Sequence, residues 1–167
     1  EGLPGRTSDF ANPGEEMIHG FHYFRPCVFS HLPIDTLILM LGTNDCTYTT
    51  DPAAVAAGIK KIAFMATRAP IWNDKKNKKI LLVCPCAINR GLPTAEGDEA
   101  LDAQIRCGVE LSESLKQLAE GLKIEFFDAN TVARVGGIAD QLHLDPESHV
   151  SLGKALAEKF LEMHKEQ

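Results

Sequence analysis

Leu32-Pro33-Ile34-Asp35-Thr36-Leu37-Ile38-Leu39-Met40-Leu41-Gly42-Thr43-Asn44-Asp45 is the stretch that decides the fold. The unbroken apolar run from Leu37 to Leu41 is too short for a free helix. It reads as a strand buried on both faces, which is the habit of a parallel sheet. The run stops on small and polar residues: Gly42 allows a sharp turn, and Thr43, Asn44 and Asp45 place a hydroxyl, an amide and a carboxylate at the strand's carboxyl end. In open α/β sheets that end is where ligands bind.

Outward from this strand the chain alternates. Residues 1–12 are turn chemistry. From about Pro13, Met17, Phe21, Phe24 and Val28 recur at helical spacing and predict a helix that stops near Pro33. After Asp45, the pair Asp51-Pro52 supplies an N-cap and a proline at the first helical position, and Val55, Ile59, Ile62 and Ala66 form a buried stripe. Lys79 to Cys84 reads as a second buried strand. A long helix follows, with Leu101, Ile105, Gly108, Ser112, Leu115, Leu118 and Leu122 on one face. Lys123 to Phe127 reads as a third strand. Asp145-Pro146-Glu147 opens a last helix, with His149, Leu152, Leu156, Phe160 and Met163 along one side. Helices alternating with strands predict βαβ crossovers and a parallel sheet covered on both faces, an α/β three-layer sandwich of flavodoxin-like type. Three strands are few for such a sheet.

Composition narrows the function classes. A chain of 167 residues that is 44% hydrophobic and 24% charged suits one globular domain over residues 1–167. A net charge of −6 argues against nucleic acid as a partner, which requires clustered Lys and Arg. The basic run Lys75-Lys76-Asn77-Lys78-Lys79 reads as a solvated loop. An odd count of five cysteines points to a reducing, cytoplasmic compartment rather than a disulfide framework. No apolar stretch has the length of a membrane span. Cys46, Cys84 and Cys86 could gather at the sheet's carboxyl end, but they lack zinc spacing, so buried reduced thiols and no metal are expected. His19 and His22 are expected at the surface.

Polar groups end three connections: Gly2 to Thr7, Gly42 to Asp45, and Asp140 to His143. In a loop, an Asp three residues before a His can hold the imidazole through Nδ1–H and leave Nε2 free as a general base.

Together these motifs carry a family resemblance. Gly-Thr-Asn-Asp at residues 42–45 and Asp140-Gln141-Leu142-His143 resemble the third and fifth sequence blocks of the SGNH (GDSL) ester hydrolases. Glu1-Gly2-Leu3-Pro4-Gly5-Arg6-Thr7 resembles the second block, and residues 32–45 are similar to arylesterase-like members. The resemblance implies His143 as general base, Asp140 as its orienting partner, and the Gly2 N–H and the Asn44 amide as oxyanion-hole donors. Gly42, Thr43 and Asp45 would support the Asn44 loop. It implies a small-molecule ester substrate and no cofactor.

The family's nucleophile, the Ser of a Gly-Asp-Ser block, has no counterpart here. None of Ser8, Ser30, Ser112, Ser114, Ser148 and Ser151 follows a buried strand at a tight turn. The nucleophile and the first strand are therefore expected upstream of residue 1, in an N-terminal segment of the same protein, with a homo-oligomer neighbour as the other possible partner. Without that strand, the one ending at Gly42 would leave an apolar edge open. A catalytically inactive binding protein of this fold and a flavodoxin-like nucleotide-binding domain are the alternatives.

Overall fold

A computed structural model describes residues 2–89, 99–136 and 142–165. Four helices and three strands are assigned among them: α1 (Gly20–Phe29), β1 (Thr36–Met40), α2 (Pro52–Arg68), β2 (Lys79–Cys84), α3 (Glu99–Leu122), β3 (Glu125–Asp128) and α4 (Pro146–Met163). The strands pair in parallel in the order β1-β2-β3, with Leu39 opposite Leu82 and Val83 opposite both Met40 and Phe127.

Alternation along the strands builds the layers. Leu37 and Leu39 of β1, Ile80 and Leu82 of β2 and Phe126 of β3 share one face and pack with α1, α2 and α3 in a single cluster. Leu81, Val83 and Phe127 face the other way and meet Leu152, Leu156 and Met163 of α4. The result is the expected three-layer α/β/α arrangement. β2 is the central strand, and its residues Ile80 to Cys84 are at most 2% exposed.

β1 departs from the expectation of burial on both faces. Ile38 and Met40, which share the α4 face with Leu81 and Val83, remain 45% and 44% exposed. The cause is positional: β1 stands at an edge of the described sheet, and the α4 contacts fall on β2 and β3.

Local signals explain most boundaries. Asp51 accepts a hydrogen bond from the Ala53 N–H at 2.9 Å, with Pro52 opening α2. Such a cap contributes about 1 kcal/mol. The stripe Val55, Ile59, Ile62 and Ala66 is at most 1% exposed. Asp145 caps α4 in the same way, accepting from Ser148 N–H at 2.6 Å.

The first helix differs. It begins at Gly20, and Met17 lies outside it in a separate 3-10 turn, 80% exposed. The N–H groups of Gly20 and Phe21 donate to the carbonyls of Thr7 and Ser8, so an earlier segment of chain takes the place of a preceding helical turn. Two residues expected on the buried side of α4, His149 and Phe160, are exposed, while Ser148 is buried. The buried face of α3 runs through Cys107, Gly108, Leu111, Leu115 and Ala119. No helix among the described residues is long and apolar enough to cross a membrane.

Candidate active site

The site begins where β1 ends. Gly42 adopts φ +132°, a conformation that L side chains rarely adopt, and a Cβ there would lie 2.7 Å from Leu111 Cδ2. The turn feeds a 3-10 helix, Asp45–Thr47, in which the Cys46 N–H donates to the Gly42 carbonyl and the Thr47 N–H to that of Asn44. The Thr47 hydroxyl also donates to the Asn44 carbonyl at 2.7 Å. These bonds fix the backbone that carries the Asn44 side chain.

The Asn44 amide donates through Nδ2 to the Arg6 carbonyl at 2.9 Å, joining the Gly42–Asp45 loop to the Gly2–Thr7 loop. That second loop is itself a tight turn. Arg6 N–H donates to Leu3 O at 3.0 Å, with Pro4 at the second position and Gly5 at φ +75° in the third, as a type II turn requires. Gly2 lies just before the turn, exposed, and a methyl group added to it would meet no atom within 4 Å.

Asp45 is the deepest member. It is fully buried and accepts from Ser8 N–H at 2.9 Å and from the Ser8 hydroxyl. Burial pushes its carboxyl above the ordinary carboxylate value, and the two Ser8 bonds act in the opposite direction. Oδ2 has no partner among the described residues. Asp45 therefore ties the β1 turn to Ser8 and locks the two loops together. Nearby, His19 is half-buried, stacked on His22 at 4.0 Å, with its Nε2 3.4 Å from Asp9. His22 is exposed, as expected; His19 departs from the expectation of surface placement, and Asp9 is the partner that the sequence did not reveal. Desolvation first, then His22, lowers the His19 pKa.

His143 sits on a different loop. Its carbonyl accepts from Gly136 N–H, and Leu144 bridges to Val135, directly before the Asp145 cap. The helix that follows runs back along the sheet: Lys79 Nζ at the start of β2 donates to the Met163 carbonyl, and His164 Nε2 lies 3.1 Å from Thr36 Oγ1 at the start of β1. The beginning of α4, and His143 with it, therefore lies at the carboxyl end of the strands, the end that holds Asn44. The side chain of His143 is exposed. Asp140 lies outside the described residues.

Beside Asn44, a small cavity of about 10 Å³ is lined by Gly42, Thr43, Cys46, Cys86, Ile88 and Leu111. Its exposed surface is almost wholly apolar. No disulfide joins the described cysteines, and Cys46 and Cys107 are in contact at 3.3 Å. Burial pushes the Cys84 thiol up to about 12. No group of three or more His, Cys, Asp or Glu side chains among the described residues could hold a metal.

Three residues of this constellation have roles that the sequence analysis does not assign. Gly5 has a local signal, the Pro-Gly pair of a type II turn. Arg6 and Ser8 have none, since their partners lie 38 and 37 positions away.

A three-layer sandwich with polar loops collected at the carboxyl end of a parallel sheet defines a class of α/β proteins, and comparison with solved structures narrows it. A carbohydrate acetylesterase from Sinorhizobium meliloti matches with a TM-score of 0.84 and 30% identity, over 98% of this chain and 77% of its own. The aryl esterase of M. smegmatis matches with a TM-score of 0.84 and 28% identity, over the same shares of the two chains. A putative arylesterase from Agrobacterium tumefaciens str. C58 matches with a TM-score of 0.81 and 28% identity, over 98% of this chain and 78% of its own. No family model matches the sequence, and no curated protein does. On the strength of these likenesses the chain belongs to the SGNH (GDSL) hydrolase family. Its class is that of the ester hydrolases.

Proposed function

We propose that this chain carries the general base and the oxyanion donors of a serine-type ester hydrolase acting through an acyl-enzyme. The observation that carries the reading is the Asn44 amide, held at the carboxyl end of β1 by a hydrogen bond to the Arg6 carbonyl. That bond engages one N–H of the NH₂ group and leaves the second for a developing oxyanion.

A serine from a segment ahead of Glu1 attacks the acyl carbonyl. His143 takes the serine proton and passes it to the departing alcohol, and Asp140 orients the imidazole. The Asn44 amide and a backbone N–H of the Gly2–Thr7 loop stabilise the tetrahedral oxyanion. Gly2 is the donor that the resemblance names; Gly5, in the turn that ends at the residue gripped by Asn44, is the other candidate on that loop. Water, activated by His143, then releases the acid. The same segment covers the β1 edge and the exposed Ile38 and Met40, which gives it a stabilising as well as a catalytic role.

The substrate class is an acyl or carbohydrate ester. The named neighbours include an acetylesterase and an aryl esterase. The test is a fluorophosphonate probe applied to protein that carries the residues encoded ahead of Glu1. Labelling of one serine in that segment, lost in a His143→Ala variant, is expected; complete inertness of correctly folded protein would overturn the reading.

A further inference from the structure

Arg6 presents an unsolved electrostatic problem. Its guanidinium lies over the Tyr23 ring of α1, 4.1 Å from the centroid. Stacking of this kind engages the flat face of the cation, whereas its N–H donors point outward in the plane. Two of those nitrogens, Nε and Nη1, are shielded from solvent and have no hydrogen-bond partner among the described residues. A buried donor left without an acceptor is costly, and more so when it belongs to a charged group. Nη2 is the nitrogen not shielded in this way. No Asp or Glu among the described residues forms an ion pair with Arg6.

The surroundings hold the side chain in place. The Arg6 N–H closes the Leu3–Arg6 turn, and the Arg6 carbonyl accepts from Asn44. The Arg6 backbone is therefore fixed, and the guanidinium stands over the Tyr23 ring of α1. An acceptor can reach Nη2 from solvent, and can pair with Nη1 or Nε only where the packing that shields them gives way. A planar carboxylate matches both the fork and the charge.

We propose that the Arg6 guanidinium, over the Tyr23 ring of α1, is a carboxylate-binding site. The carboxylate belongs either to a small organic acid or to a segment of the protein outside this sequence; the chemistry is the same and the experiment separates the two. The proposal does not depend on the ester-hydrolase reading, and its readout is not activity.

The test uses protein labelled with ¹⁵N-arginine, with the Arg6 Nε–H signal assigned by its loss in Arg6→Lys. Arg25 over Phe29 and Arg68 over Phe64 are internal controls, since they too lie over aromatic rings, at 5.9 and 4.9 Å from the centroids. Titration with sodium acetate at constant ionic strength is expected to move the Arg6 signal saturably, leaving Arg25 and Arg68 in place, while chloride has no such effect. The titration is repeated on protein carrying the residues encoded ahead of Glu1. A continued response there identifies a free acid as the ligand. An Arg6 signal already shifted, protected from solvent exchange and indifferent to acetate identifies a carboxylate of the chain itself. The proposal is overturned if acetate moves Arg6 no more than the two controls and Arg6 in the longer protein exchanges with solvent as fast as they do.

Discussion

Replacing Gly42 with alanine tests how the end of β1 is built. Two costs arise together. At φ +132° an L-residue is strained, by about 1–3 kcal/mol. The new methyl would also lie 2.7 Å from Leu111 Cδ2, a contact that must open against a side chain only 1% exposed. Overpacking of that kind costs about 1–3 kcal/mol. The sum, about 2–6 kcal/mol, is a large part of the stability of an ordinary domain. Urea denaturation followed by circular dichroism reads it as a fall in midpoint with an unchanged slope. A double-mutant cycle separates the two costs. Leu111→Ala alone should destabilise by about 2–5 kcal/mol. In that background Gly42→Ala should lose its steric part, so the two changes couple by about 1–2 kcal/mol. A Gly42→Ala protein within about 0.5 kcal/mol of the parent, or strict additivity in the cycle, would refute this account of the turn.

Three further outcomes are expected. Burial raises the Asp45 carboxyl above its unfolded value of 3.8, so the folded state binds that proton more tightly. The associated stability is present at pH below the unfolded value and is lost as pH rises through the raised folded value. Asp45→Asn should flatten that decline when the two proteins are compared by denaturation from about pH 4 to about pH 7; an unchanged decline in the Asn variant counts against it. Asp51→Ala removes the cap of α2 and should cost about 1 kcal/mol in the same assay, with no loss disproving the cap's contribution. Among the thiols, half-buried Cys27 should react first with iodoacetamide, and Cys84, pushed up to about 12, should react only on unfolding; peptide mapping checks the order.

What could be read from the sequence was local. Asp51-Pro52 and Asp145-Pro146 announce helix starts because the cap and the proline act within one turn. The apolar runs of β1 and β2 announce strands because burial selects their composition. What could not be read depended on distant partners. Met17 fits a helical stripe, yet the carbonyls of Thr7 and Ser8 accept the bonds that start α1 at Gly20. Ile38 and Met40 look as buried as their neighbours, and only the position of α4 over β2 and β3 leaves them exposed. At the site, Asn44 and Asp45 were legible as residue types at a strand end. Their partners Arg6 and Ser8 were not, since nothing in a single sequence couples positions so far apart.

The central claim is that Asn44 acts on the transition state, and turnover measures it most directly. In protein carrying the residues encoded ahead of Glu1, the hydrolysis of an aryl acetate should be compared between the parent and Asn44→Ala. Loss of one oxyanion donor costs about 3 kcal/mol. The account predicts that kcat falls by about 10²–10³-fold, with KM little changed and circular dichroism retained. A folded Asn44→Ala protein that keeps the parent's kcat would contradict it.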